Sequence, residues 1–247
     1  MVQFTLLTLN IHHGFSALKR RFILAELREA VHAVSADVVC LQEVLGAHEP
    51  RSRRGADWPA VPHYEFIADT LWPQHAYGRN AVFPEGHHGN AVLSKFPIAH
   101  WRNHDVSVAS AEGRGMLWCV LDVPGRALEL HVVCVHLGLR EAHRRLQLEA
   151  LCRMLDEHVP AHAPLLVAGD FNDWRVRADA ILARCGLHEV FAAANGRPAR
   201  TFPARLPLLP LDRVYARNIA SARPRVLSGR PWSHLSDHAP LLVDVST

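Results

Sequence analysis

Five times along this chain a short apolar run meets a carboxamide, a carboxylate or an imidazole. TLLTLNIHHG runs out at Asn10, DVVCLQEV at Glu43 and LHVVCVHLG at His136. PLLVAGDFNDW carries Asp170 and Asn172, and HLSDHAPLLV opens with Asp237 and His238. Val-, Leu- and Ile-rich runs of this length read as buried strands bounded by polar residues. A chain built this way must gather several strand ends, and strand ends are rigid enough to hold a set of functional groups.

The strand-like runs are Phe4–Ile11, Asp37–Val44, Tyr64–Leu71, Asn90–Ser94, Met116–Val123, Leu128–His136, Leu165–Asp170, Asp212–Ala216 and Leu241–Val245. Helical period appears in two places. Ile23, Leu27, Ala30, Val31 and Val34 share one face, as do Leu148, Leu151, Cys152, Leu155 and Val159. A shorter helix is expected over Ala178–Cys185, ending at Gly186. Strands follow one another without helices in the middle of the chain, which excludes simple βαβ alternation. Two mixed sheets packed face to face, with helices outside, satisfy the pattern. No linker or repeat divides the chain, so residues 1–247 are read as one catalytic domain. The Arg51–Gly55 stretch reads as a solvated loop, and Arg144 and Arg145 as the exposed face of their helix.

The formal net charge of +3 is too small to argue for nucleic acid by itself. Of five cysteines, Cys40, Cys119 and Cys134 lie in apolar runs, where a thiol behaves as a small hydrophobe. Cys152 and Cys185 complete an odd set without metal-ligand spacing, and that usage suggests a reducing compartment. The N-terminus enters a strand directly, with none of the features of a signal peptide. No apolar run approaches the roughly 18 residues that span a bilayer. The expected location is the cytoplasm.

The polar residues at the strand ends suit phosphoryl chemistry. Glu43, Asp170 and Asp237 offer hard oxygen ligands for Mg²⁺ or Mn²⁺. Asn10 and Asn172 can donate to phosphoryl oxygens without adding negative charge. His136 and His238 can give or accept protons. Taken singly, each segment has an ordinary structural reading: a strand-terminating Asn, a solvated Glu, a satisfied histidine, turn chemistry at GDFND and SDH. Their joint occurrence, in this order and across the whole chain, is what turns give no reason for.

NIHHG, LQEV, HHGNAVLSKFPI, VHLG, GDFND, LDRVY and SDHAPL together resemble the ordered motifs of the endonuclease/exonuclease/phosphatase superfamily, the DNase I-like fold. The likeness spans Phe4 to Val245 and extends to small single-domain bacterial members. It implies an α+β, four-layer αββα sandwich and metal-assisted attack of water on a phosphoester. By motif position it implies that Glu43 is the principal metal ligand, with Asn10 and Asp237 beside it. Asp170 and Asn172 would handle water and phosphate, and Asp212 would orient His238. Asp170 and His238 both stand as general base.

Three further residues carry two readings each. Asn90 lies either near the scissile phosphate or at the start of a strand. Arg114 either clamps phosphate or sits on the surface. Trp174 either stacks on substrate or roofs the core edge. His12 stands where abasic-site repair enzymes of the superfamily resemble one another in an Asp, and His136 where they have a Tyr, which points away from that branch. The expected activity is a nuclease-like phosphodiesterase, with Arg51, Arg53, Arg54 and Arg79 placed to meet nucleic-acid phosphates. The alternatives are a phospholipid-directed phosphodiesterase or phosphatase and, in another class, an inactive binding or scaffold module.

Overall fold

The computed structural model describes residues 2–17, 21–48, 58–108, 112–125 and 129–247. Arg51–Gly55, with Arg51, Arg53 and Arg54, lies outside the described residues. The first half of the chain runs β1 (Gln3–Asn10), α1 (Leu24–Val34), β2 (Val38–His48), α2 (His63–Ala68), β3 (Gln74–Phe83), β4 (Gly86–Ser94), β5 (Ile98–Asp105) and β6 (Gly115–Leu121). It continues with β7 (Leu130–His136), α3 (Glu141–His158), β8 (Leu165–Asp170), α4 (Ala178–Leu182), β9 (His188–Glu189) and α5 (Val190–Asn195). The last elements are β10 (Asp212–Arg217), β11 (Ser221–Val226), α6 (Trp232–Leu235) and β12 (Leu241–Ser246).

Two mixed sheets of six strands form, in the orders β11-β12-β1-β2-β4-β3 and β5-β6-β7-β8-β10-β9. Alternation along each strand supplies both faces. Leu6, Cys40, Val92, Leu117, Cys134, Ala168 and Val243 point into the layer between the sheets. Their neighbours Leu7, Val39 and Leu41 turn outward, onto Leu24, Leu27 and Val31 of α1. On the second sheet Val133, Val135, Leu165 and Val167 meet Leu148, Leu151 and Leu155 of α3. Three apolar layers separated by two sheets make the four-layer αββα sandwich that the motif order implies.

The parallel pairs fix where the polar residues meet. β1 runs parallel to β2, and β7 parallel to β8, so Asn10, His136 and Asp170 finish their strands at one end of the sandwich, where Glu43 follows Gln42, the partner of Asn10, within β2. β10 is antiparallel to β8 and β12 antiparallel to β1, so it is their beginnings that reach the same end. That places Asp212, and the Asp237–His238 segment ahead of β12, beside the others.

Three sequence expectations are corrected. Tyr64–Leu71 is not a strand: its N-terminal part lies in α2, where His63, Ile67 and Ala68 are buried at helical spacing and Asp69 stops the turn at φ 43°. The strand that follows starts only at Gln74. Arg144 is buried and donates to the carbonyls of Gly138 and Leu139 at 3.1 and 2.6 Å, fastening the start of α3 to the loop after His136. Arg145 is the exposed partner, within 4.0 Å of Glu149. Cys40, Cys119 and Cys134 are buried thiols, whereas Cys152 and Cys185 form a disulfide joining α3 to the turn after α4. The apolar face of α3 carries Cys152 directly onto that turn, a proximity that linear spacing does not reveal.

Candidate active site

Three residues stand abreast at the end of the second sheet: His136 on β7 pairs in register with Asp170 on β8, which pairs with Asp212 on β10. All three are buried, as is His238 from the loop before β12. Gly169 lets β8 come this close. Its φ is +144°, and a β-carbon there would lie 2.0 Å from the carbonyl oxygen of Val135.

His238 Nδ1 donates to Asp212 Oδ2 at 2.8 Å, and its Nε2 faces Asp170 Oδ2 at 3.9 Å. Burial works against charge on this imidazole, but Asp212 and Asp170 outweigh it and hold the ring protonated well above its ordinary range. Burial pushes the Asp170 carboxyl up from the usual carboxylate range, aided by nearby Asp212 and opposed by His238. His136 Nε2 lies 3.6 Å from Asp170 Oδ2. Burial, with Arg114 and His88 adding to it, drives His136 well below the ordinary imidazole value and leaves it neutral. Two imidazoles thus flank one carboxylate in opposite protonation states.

Asn172 and Asn10 complete this half. The Asn172 backbone N–H donates to Asp170 Oδ1 at 2.8 Å, and its side-chain amide donates to the Leu137 carbonyl at 2.9 Å. The Asn10 amide nitrogen lies 3.1 Å from Asp170 Oδ2 and 3.3 Å from Glu43 Oε1, while its carbonyl oxygen accepts the His12 N–H at 3.0 Å. Ser236 Oγ donates to the Asn10 carbonyl at 2.7 Å, tying the first strand to the loop that carries Asp237 and His238.

The other half is more open. Glu43 sits at a bulge in β2, between Leu41 and Val44 in the pairing with β4, at φ 56°. A bulge re-aims a side chain that alternation would place on a sheet face, which is how Glu43 reaches the strand-end cluster. Its Oε2 lies 3.2 Å from His13 Nε2, and Asp237 Oδ1 lies 3.4 Å from His12 Nδ1. His12 and His13 both adopt left-handed backbone, at φ 46° and 55°. Non-glycine residues held this way cluster at functional sites. Neither His13 nor its neighbour His88, whose rings meet edge to face at 4.9 Å, stood out in the sequence as a site residue. The run of paired histidines was the signal available. Burial, with His13 next, pushes His88 down to about 4.

The remaining sequence candidates are placed as follows. Asn90 is buried on β4 and spends its amide on the carbonyls of Gly115 and Cys134 at 2.9 and 3.2 Å, pegging one sheet to the other beneath His136. Arg114 donates from Nε to the Leu137 carbonyl at 3.0 Å, the acceptor it shares with Asn172, and from Nη2 to Glu112 at 3.0 Å. Trp174 stands exposed beyond Asp173, with the Arg175 guanidinium 4.5 Å above its ring. Arg79 is exposed on β3, opposite Gly89 of β4.

Two groups have the chemistry to take a divalent cation. Among the described residues Asp170, Asp212 and His238 bring donor atoms within 4.8 Å of one another. There the imidazole already uses Nδ1 on Asp212, and Asp170 already accepts from the Asn172 N–H and the Asn10 amide, so few of these donor atoms are uncommitted. Glu43 and Asp237 offer partly exposed carboxylates, and the buried Nδ1 of His12 beside Asp237 has no hydrogen-bond partner among the described residues. Mg²⁺ commonly takes only one or two protein carboxylates and keeps its remaining positions for water and phosphate oxygens. The Glu43–Asp237 side fits that habit.

A sequence profile described as the Endonuclease/Exonuclease/phosphatase family matches residues 7–238. The uncharacterized protein YbhP of Escherichia coli (strain K12) is 58% identical over 243 residues, covering 98% of this chain and 96% of its own. The endonuclease/exonuclease/phosphatase from Beutenbergia cavernae superposes with a TM-score of 0.76 at 20% identity, over 100% of this chain and 72% of that one. TDP2 of D. rerio, solved with a single-strand DNA product, superposes with a TM-score of 0.69 at 17% identity, over 100% of each chain.

Proposed function

This chain belongs to the Endonuclease/Exonuclease/phosphatase family, and we propose that it is a divalent-metal-dependent phosphoesterase that cleaves a phosphodiester with activated water. The observation that carries this reading is Asp170 held between the charged His238 and the neutral His136, with Asp212 orienting His238.

A base must be able to lose its proton near the working pH, and a carboxyl raised by burial meets that need. Asp170 is therefore the base that takes a proton from attacking water. His238 is the weaker candidate for that step, because it already carries its proton; as an imidazolium it donates to a phosphoryl oxygen and balances the charge of the transition state. Asn172 and Asn10 hold Asp170; the Asn172 side chain spends one amide hydrogen on the Leu137 carbonyl and offers the other to the phosphate. His136, kept neutral, donates a hydrogen bond to a phosphoryl or leaving oxygen. Arg114 supports the Leu137 carbonyl that positions Asn172. Glu43 and Asp237, with the Asn10 side chain alongside, would hold Mg²⁺ or Mn²⁺. A cation bound there supplies charge neutralisation at the phosphate and eases departure of the leaving oxygen.

The intact set also argues against an inactive scaffold, for which opposed protonation states around one buried carboxylate have no use. The test is hydrolysis of bis-p-nitrophenyl phosphate with Mg²⁺ or Mn²⁺. Wild type should turn over and lose activity to chelator. An inactive wild type, or wild-type rates in Glu43→Ala and His238→Ala, sinks the reading. For the substrate, likeness in fold to TDP2 with its DNA product supports a nuclease-like diesterase. A phospholipid-derived diester is the second reading, favoured by the apolar character of the loops around the site.

A further inference from the structure

The loop that leads from Thr201 to β10 has the sequence TFPARLPLLPLDR. Leu211 is buried, but the three leucines before it do not fold back into the protein: Leu206, Leu208 and Leu209 are 65%, 54% and 38% exposed. Isolated exposed leucines are ordinary on a protein surface. Three within four residues, held out on a pinned loop, are not. The pinning is explicit. Leu208 and Leu209 donate to the Phe202 carbonyl at 2.9 and 2.8 Å, and the Leu209 carbonyl accepts from Thr201 at 2.9 Å. Pro203, Pro207 and Pro210 restrict the backbone further.

This loop is joined to the candidate site. The Ala204 N–H donates to the Asp237 carbonyl at 2.7 Å, and the Phe202 ring lies 5.1 Å from that of His238. The two other loops that carry strand-end residues repeat the composition. Leu139, three residues beyond His136, is 66% exposed and is followed by the exposed Arg140. Trp174 and Val176, just beyond Asn172, are 48% and 37% exposed and alternate with the exposed Arg175 and Arg177. Exposed Arg205 adjoins Leu206 in the chain, and exposed Arg230 lies with it near His234 of α6.

Apolar side chains at loop tips, each next to arginine, match the two layers of a bilayer interface: acyl chains for the leucines and anionic headgroups for the guanidinium groups. A nucleic-acid groove calls for cations and stacking rings, and gives three exposed leucines nothing to bury against. We propose that the loops around the site, led by Leu206, Leu208 and Leu209 with Arg205 and Arg230, dock the protein peripherally on an anionic phospholipid surface, so that the diester it hydrolyses is presented from that surface. The attachment is at the periphery: no helix among the described residues is long and apolar enough to cross a membrane. The proposal rests on the phosphodiesterase reading for its chemistry, while the docking itself can be measured without catalysis.

The experiment is co-sedimentation of the full chain with vesicles of phosphatidylglycerol and phosphatidylcholine, with pure phosphatidylcholine vesicles alongside. Wild type should sediment with the anionic vesicles and weakly or not at all with the neutral ones. Replacing Leu206, Leu208 and Leu209 together by Ser should lower partition at least about tenfold. The same variant should keep its wild-type rate on soluble bis-p-nitrophenyl phosphate. If it does not fold, Leu206→Ser alone, the most exposed of the three, should still lower partition measurably. Arg205→Ala with Arg230→Ala should reduce the preference for anionic over neutral vesicles. Wild type that stays in the supernatant, leucine variants that sediment like wild type, or displacement from vesicles by a single-stranded oligonucleotide at equal phosphate concentration would each overturn the docking proposal. Failure of docking with intact hydrolysis rejects the surface alone. Failure of wild type to hydrolyse the soluble diester rejects the phosphodiesterase reading instead.

Discussion

The two halves of the candidate site are built on opposite principles. In the closed half, Asp170, Asp212 and His136 of the second sheet and His238 from the loop before β12 are each at most 6% exposed, and a 2.8 Å bond locks His238 to Asp212. In the open half, Glu43 of β2 and Asp237 of that same loop have side chains 22% and 26% exposed, and their histidine neighbours stand off at 3.2 and 3.4 Å. Burial magnifies electrostatic interactions and shifts proton affinities, so the closed half is suited to holding and moving a proton. Exposure keeps carboxylates reachable, so the open half is suited to receiving a cation and the phosphate that comes with it. The difference teaches that the division of labour follows from depth more than from residue type, since both halves use the same carboxylates and imidazoles.

The comparison breaks first if the closed half is dispensable. Asp170→Asn and His238→Ala should each lower the rate on bis-p-nitrophenyl phosphate by about 10²–10⁴-fold, with circular dichroism unchanged. Either variant retaining half the wild-type rate would remove the proton-handling role. Glu43→Ala should come next, and differently: its lost activity should be partly restored by raising metal, with the midpoint of the metal titration moved by about 10–100-fold. A midpoint identical to wild type would place the cation elsewhere.

Asp212→Asn sharpens the contrast within the closed half. Without that carboxylate His238 loses its hydrogen-bonded counter-charge, and its affinity for a proton falls. The alkaline limb of the pH–rate profile should therefore move to lower pH, and an unmoved limb would count against Asp212 as the orienting group.

Stability gives a smaller and independent signal. The native Asp170 carboxyl is raised above its unfolded value of about 4. The folded state binds that proton more tightly, so its contribution is complete below the unfolded value and is lost as pH rises through the native one. Wild type should lose more thermal stability than Asp170→Asn as pH is raised across that interval. Equal slopes in the two proteins would mean that Asp170 titrates normally. The smallest effect is expected at the rim: Trp174→Ala should change KM for a large substrate a few-fold and leave kcat on the small diester near wild type.

How much of this was legible in the sequence follows the same divide between inside and outside. The runs at Phe4–Ile11, Leu165–Asp170 and Leu241–Val245 are central strands, apolar on both faces because both faces are covered. The missed strands β3, β5, β9 and β11 are the four sheet edges. Edge strands carry polar and charged residues that prevent further pairing. β5 reads IAHWRNHD and β11 reads SARPRV, with no apolar period to find. Tyr64–Leu71 misled because its apolar content was taken without its spacing. Arg144 misled because an arginine on a helix is read as solvated, whereas two carbonyls of a returning loop were waiting for it. For the site, the motif order gathered Asn10, Glu43, His136, Asp170, Asn172, Asp212, Asp237 and His238 at one end of the sandwich. The bulge at Glu43 and the left-handed pair at His12 and His13 are backbone properties of folded neighbours, and no residue type announces them.

The contact between Ser236 and Asn10 joins positions separated by 226 residues. The candidate centre therefore exists only while β1 and β12 stay paired. Contacts between positions so far apart slow folding, and they also make one seam decisive: a local opening between these two strands is enough to part Asn10 from the Asp237–His238 loop.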